Sequence, residues 1–321
     1  MLSAEAITGK YAEALREKGG LRAALQKYGI LRLMDVAVRE AWETLGMRVL
    51  AALGRCPEKG YGWLEALFSP TCDYWSRYAP VIAAIDRIAP VKVPRIMEVA
   101  SGGRGGISWA VGKKKVEVCL VDRSEHLVRD PLGGKALRVC GDGCRLPFGD
   151  SSFDVTVSLD TVEHLPPALR PAFLSELKRI ARYGVVLTCP LESGDGVFQA
   201  REFDKLLSDI ITKQKGVQPG WLQEHLQQGH PKKDELLELL PEAQVTGSEN
   251  CTVWIRFAAL YQRLFIWPLA GLYYVIFLRK KDVGPPYRRA LLVWEKQAII
   301  GGQTGTQAEP SVNATGPELR N

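Results

Sequence analysis

Apolar and polar positions follow one period in the first quarter of the chain and another beyond it. Residues 11–15 and 21–53 carry apolar side chains three and four apart with charges between them, a helical spacing without any strand pattern. Residues 75–90, with Tyr78, Val81, Ile82, Ile85 and Ile88, predict one more helix. From residue 95 short apolar runs take over: RIMEV at 95–99, VEVCLV at 116–121, LRVCG at 137–141, FDVTVSL at 153–159 and GVVLTCP at 184–190. The last of these is the continuous kind of run that predicts a strand buried on both faces. Before it, Leu169, Phe173, Leu177 and Ile180 form one stripe while Arg170, Glu176 and Arg179 face away, and Pro166 and Pro167 stand where a helix can start. Strands alternating with helices predict an α/β fold, a mainly parallel sheet covered on both sides.

After Pro190 the pattern loosens. Pro231 followed by residues 234–240 predicts a short helix, 243–247 a sixth strand, and 287–296 a closing strand. From about residue 300 the chain is mostly Gly, Thr, Gln, Ser, Pro and Asn, the composition of a disordered tail. The expected organisation is a helical extension over 1–74, an α/β domain over 75–299 with an insertion at 191–283, and a tail at 300–321.

Composition changes this picture little. The 321 residues can bury a sizeable core, and 46% apolar with 24% charged residues is ordinary for a globular protein. A net charge of +6 without a dense basic run excludes a nucleic-acid reading and leaves acidic substrates or an anionic surface open. The seven cysteines form no CxxC pair, and Cys119, Cys140 and Cys189 fall in or at the ends of strands, where a reduced thiol acts as a small apolar group. An odd number without a secretory signal predicts a cytoplasmic protein with reduced thiols.

The candidate chemistry sits where the strands end. The first strand leads into the turn Ala100-Ser101-Gly102-Gly103-Arg104-Gly105-Gly106; the second ends on Asp122, with Arg123 after it; the third is followed by Asp142 and Gly143; the fourth runs from Ser158 into Asp160-Thr161-Val162-Glu163-His164. Glycines let backbone approach a ligand closely, and a carboxylate closing the second strand suits ribose hydroxyls. Ligands of open α/β sheets bind outside the carboxyl ends of the strands, so these groups converge on one site.

Here the chain resembles the class I S-adenosylmethionine-dependent methyltransferases, in particular a branch with a GD…LPF.D.SFD signature, which reads GDGCRLPFGDSSFDVTVSLDTVEHL at 141–165. The resemblance implies a Rossmann-like, doubly wound, mainly parallel seven-stranded sheet whose last strand is antiparallel. It implies S-adenosyl-L-methionine as cofactor. Glu98, Ala100, Ser101, Gly102 and Gly105 would lie against its amino acid moiety, Asp122 with Arg123 by the ribose, Asp142 and Gly143 by the adenine, and Ser158 to Asp160 beside the sulfonium. Ala100 and Arg104 depart from the family's E-x-G-x-G-x-G turn.

Methyl transfer from a sulfonium chiefly requires positioning, and a hydroxyl acceptor also needs a group to take its proton. His164 and Asp160 are the catalytic candidates, His164 because its ordinary pKa lies near neutrality. His225, His230 and Glu224 could face the acceptor, and with Asp160 and Glu163 could hold a metal, but no spacing compels that and no metal is assigned. The expected activity is transfer to a small-molecule, lipid or glycan acceptor at oxygen. The alternatives are a methyltransferase-fold binding protein without turnover and a nicotinamide-dependent dehydrogenase, the latter disfavoured by the missing GxGxxG spacing.

A further apolar segment lies at 257–278. Residues 264–278 hold no charge, between Arg263 and Arg279-Lys280-Lys281, but Pro268 interrupts them and a spanning helix needs about 20 apolar residues. The segment predicts a pair of short helices roofing the site, or a peripheral membrane contact through 257–281. Either suits an apolar or lipid-linked acceptor.

Overall fold

The computed structural model describes residues 62–297 except 69–71, 102–105, 112–113, 125–135, 217 and 264, together with scattered positions between 31 and 53. The expected helix over 11–15, the centre of the glycine-rich turn and the tail after 300 lie outside the described residues. The described positions from 31 to 50 are helical, in keeping with the three-and-four spacing there.

The apolar runs form the strands their patterns predict: β1 (Arg95–Val99), β2 (Glu117–Asp122), β3 (Leu137–Cys140), β4 (Phe153–Leu159), β5 (Ala181–Pro190), β6 (Gln244–Asn250) and β7 (Tyr287–Glu295). Their order is β3-β2-β1-β4-β5-β7-β6. The first five are parallel and β7 is antiparallel to both β5 and β6, so the seven-stranded, Rossmann-like architecture is the observed one. The central β4 is buried along its whole length, as a strand covered on both faces must be. β3, at the sheet edge, is not. Cys140 is therefore exposed, unlike Cys119 and Cys189, and does not serve as a core residue.

Helix α1 (Trp63–Phe68) precedes α2 (Cys72–Ile88), and the latter buries Tyr78, Val81, Ile82, Ile85 and Ile88. The helix expected at 75–90 thus begins three residues earlier. α3 (Gly106–Ala110) follows the glycine-rich turn, and α4 (Arg170–Ile180) buries Phe173, Leu174, Leu177 and Ile180. Two expectations for this stripe fail. Leu169 is exposed, because it belongs to a 3-10 turn that precedes the helix and opens onto a cavity. Arg170 is buried: its guanidinium donates to the carbonyls of Leu165 and Gly229 and to the Glu235 carboxylate, so its charge is satisfied inside.

The insertion is more ordered than its loose pattern suggests. It contains α5 (Ala200–Lys215), α6 (Gly220–Gln228) and α7 (Lys233–Leu239). After β6 come α8 (Cys251–Tyr261) and α9 (Trp267–Tyr273), the latter continued by single turns to Lys281. The short helices expected at 264–278 are there. They bury Trp267, Ala270, Tyr274 and Leu278 in a second core shared with α5 and α8. No described helix is long and apolar enough to cross a membrane.

Candidate active site

Four strand ends and two turns build one cavity. Val99, Ala100, Asp122, Arg123, Gly141, Asp142, Gly143, Cys144, Thr161, Leu165, Leu169 and Phe173 line a space of about 240 Å³. Ala100 has φ +60°, the left-handed region that favours glycine, and is held there by its N–H donating to Val121 O at 2.8 Å. Asp122 Oδ1 accepts from the Ser124 N–H at 2.9 Å, and Asp142 Oδ1 from the Cys144 N–H at 3.0 Å. These bonds fix both carboxylates at the cavity wall. Gly143 permits the close approach of α4, since a Cβ there would lie 2.6 Å from the Phe173 ring. The structure therefore brings Ala100, Asp122, Arg123, Asp142 and Gly143 together, and places Gly102 and Gly105 outside the described residues.

Glu98 and Ser158 do not line that cavity. The Ser158 hydroxyl is buried and donates to Val99 O at 3.0 Å, tying β4 to β1 beneath the site. Glu98 accepts from Tyr78 Oη at 2.9 Å and from the Ile107 N–H at 2.5 Å, bracing the first turn of α3 against β1. Burial pushes its carboxyl up to about 7. Gly106, with φ +47°, leaves the room this carboxylate occupies: a Cβ there would lie 2.0 Å from Glu98 Oε2.

Asp160 is placed at the end of β4 as expected, but it is not available as a base. Its carboxylate accepts from the Arg289 guanidinium and lies 3.2 Å from Arg77. Against the cost of burial, Arg289 and Arg77 hold it down at about 2. Arg289 and Arg288 also engage Asp73 and Glu249, so two buried guanidinium groups and the half-buried Arg77 face three carboxylates. The antiparallel course of β7 makes this possible, because its first residues lie beside the carboxyl end of β5, with Arg289 opposite Pro190. Strand alternation cannot predict two successive buried arginines. Asp73, Arg77, Arg288 and Arg289 are residues that sequence reasoning missed.

A second cavity of about 140 Å³ opens on the other side of the same turn, lined by Arg77, Asp160, Glu163, His164, Pro190, Asp204, Trp221, His225, Arg288 and Arg289. His164, on the 3-10 turn after β4, meets α6 here. Its Nδ1 lies 3.1 Å from Glu224 Oε2 and its Nε2 3.1 Å from His225 Nε2. His225 Nδ1 and His230 Nε2 each lie 2.8 Å from Asp204 Oδ2. Burial lowers the His225 pKa, and against burial the two imidazole hydrogen bonds hold Asp204 well below the usual carboxylate range. Glu163 is fully buried, and neither of its oxygens has a hydrogen-bond partner among the described residues. Burial, then the nearby Asp160 charge, raise its pKa well above the ordinary value. His225, His230 and Glu224 thus do gather beside His164, and Asp204 is an addition that lay unread in the α5 sequence.

Residues 97–189 match the family described as methyltransferase domain. Solved structures similar to this chain include the YcgJ protein from Bacillus subtilis, at 13% identity over 69% of this chain and 99% of that one, with a TM-score of 0.42. The MccD protein is 13% identical over 68% of this chain and 97% of that one, with a TM-score of 0.43. Geranyl diphosphate C-methyltransferase from Streptomyces coelicolor A3(2) is 9% identical over 68% of this chain and 80% of that one, with a TM-score of 0.44.

Proposed function

We propose that this chain is a class I S-adenosylmethionine-dependent methyltransferase and that it transfers the methyl group to an oxygen of a small-molecule, lipid or glycan acceptor. Asp122 would accept from the cofactor's ribose hydroxyls, and Asp142 with the Gly143 backbone would meet its adenine, since all three line the first cavity. The acceptor enters from the His164 and Trp221 side. One observation supports this reading above the others: the turn leaving β4 supplies Thr161 to one cavity and Asp160, Glu163 and His164 to its neighbour. A sulfonium methyl in the first cavity would therefore face the histidine and carboxylate cluster in the second.

The cofactor supplies the leaving group, so the protein's share is orientation, exclusion of water and disposal of the acceptor's proton. Asp160 acts by holding Arg77 and Arg289 in place. The histidine cluster is the candidate for proton handling, since it joins the half-buried His164 to the buried His225 and His230 at this rim.

The test is transfer from labelled S-adenosylmethionine to a panel of hydroxyl, amine and carbon acceptors. Product confined to carbon or nitrogen acceptors would refute the oxygen assignment. Tight cofactor binding with no product from any acceptor would favour a binding protein without turnover.

An apolar or lipid-linked acceptor is favoured by a specific surface. Phe265, Leu269, Ile276 and Phe277 are exposed beside Arg279, Lys280 and Lys281, an arrangement suited to resting on an anionic membrane interface. Cosedimentation with anionic vesicles at low salt tests it, and absence of binding there would sink it.

A further inference from the structure

The second cavity carries two carboxylate–imidazole pairs aimed at each other. In the first, Glu224 faces His164 Nδ1, and in the second Asp204 faces His225 Nδ1. A carboxylate can only accept, so each Nδ1 carries a proton and donates it. The two Nε2 atoms face one another at 3.1 Å, a contact that either a proton shared by the rings or a metal ion between them would satisfy.

The third wall of this contact is Glu163. Its carboxylate is fully buried, its oxygens lack hydrogen-bond partners among the described residues, and Oε1 lies 4.0 Å from His225 Nε2. One ligand atom from each of Glu163, His164 and His225 falls within 4.8 Å of the others. A tetrahedral ion with nitrogen ligands at 2.0–2.1 Å separates those nitrogens by about 3.3 Å, close to the distance between the two rings. An Nδ1–H held by a carboxylate while Nε2 turns inward is also how metal-bound histidines are oriented.

We propose that Glu163, His164 and His225 form a site for a divalent transition metal ion, with Glu224 and Asp204 orienting the two imidazoles. Two imidazoles and one carboxylate suit zinc or a similar first-row ion, whereas magnesium prefers an all-oxygen shell. The position deepens the oxygen-transfer reading, on which its purpose rests. An acceptor hydroxyl bound to the ion loses its proton to solvent more readily, and its oxygen then takes the methyl as the sulfur–carbon bond of the cofactor breaks. His164 would then serve as a ligand and not as the base. All three residues line the cavity that Trp221 and Arg289 share, so an acceptor there would lie beside the ion.

Cobalt binding to chelator-treated full-length protein tests the site without any acceptor, so its outcome is separable from that of the oxygen reading. The expected result is one equivalent of Co²⁺ giving a visible ligand-field band, displaced by Zn²⁺ and not by Mg²⁺. Glu163→Gln and His164→Ala should each weaken binding tenfold or more, while S-adenosylmethionine binding in the neighbouring cavity reports that both variants are folded. No band with 100 µM (on the order of a generous excess for such a site) Co²⁺ and no Zn²⁺ binding by calorimetry would overturn the assignment. Equal binding by wild type and both folded variants would overturn it too.

Discussion

Replacing Glu98 by glutamine keeps the shape of a buried brace and removes its titration. The wild-type carboxyl is 1% exposed and accepts from Tyr78 and the Ile107 N–H, yet burial raises its pKa from 4.5 to about 7. A raised carboxyl pKa means that ionisation is easier in the unfolded chain. Below pH 4.5 both states hold the proton and nothing is lost. Between 4.5 and 7 the unfolded chain releases it first, so folding loses stability with each step in pH, and above 7 the loss is complete. At 1.36 kcal/mol per pKa unit the whole loss is about 3 kcal/mol. Glutamine is neutral throughout and can still accept from Ile107 while its amide donates to Tyr78. Urea unfolding of wild type and Glu98→Gln from pH 4.5 to 8 should show near-equal stability at the acid end. The variant should be ahead by 2–3 kcal/mol (about the value above) at the alkaline end. Taking the difference cancels every other titration. Parallel curves would refute the argument, because they would place an ordinary carboxyl at Glu98.

Asp122→Ala should weaken S-adenosylmethionine binding at least tenfold by calorimetry with the circular dichroism spectrum unchanged, since the side chain lines the cavity and accepts from the Ser124 N–H of the following turn. Gly143→Val should lower both thermal stability and cofactor affinity, because a Cβ at 2.6 Å from Phe173 forces α4 outward; a variant matching wild type in both would contradict that packing. Arg289→Met takes one of two guanidinium partners from each of the half-buried Asp160 and the buried Glu249 and should cost up to about 3 kcal/mol in urea unfolding. Adding Asp160→Asn to it should restore part of that, and failure to restore any would show that the network is not coupled.

What could be read from the chain divides along a physical line. Asp122 was legible because a strand fixes where its last residue points, and Asp142 because it follows the end of β3 by two residues; the order of strands fixes which ends are neighbours. Val155, Val157 and Phe173 were legible as core because their spacing matches a buried strand and a helix stripe. Helix α5 was overlooked although Phe203, Leu207 and Ile211 recur at four-residue spacing. The buried Asp204 and Ser208 break the contrast between its faces: Asp204 holds His225 and His230, and Ser208 accepts from Gln218. Asp160 was misjudged for a different reason. Its position is local, but its charge is set by Arg77 and Arg289, which stand 83 positions before it and 129 after, and no local pattern reports such a pairing.

Because β7 comes last among the strands, the two cavities are completed by different parts of the chain. The residues lining the first lie between Val99 and Phe173. The second also takes Arg288 and Arg289. Among the described residues, Asp73, Asp160 and Glu249 share those two arginines with Arg77. A chain stopped short of β7 therefore lacks two of the three guanidinium groups that line the second cavity.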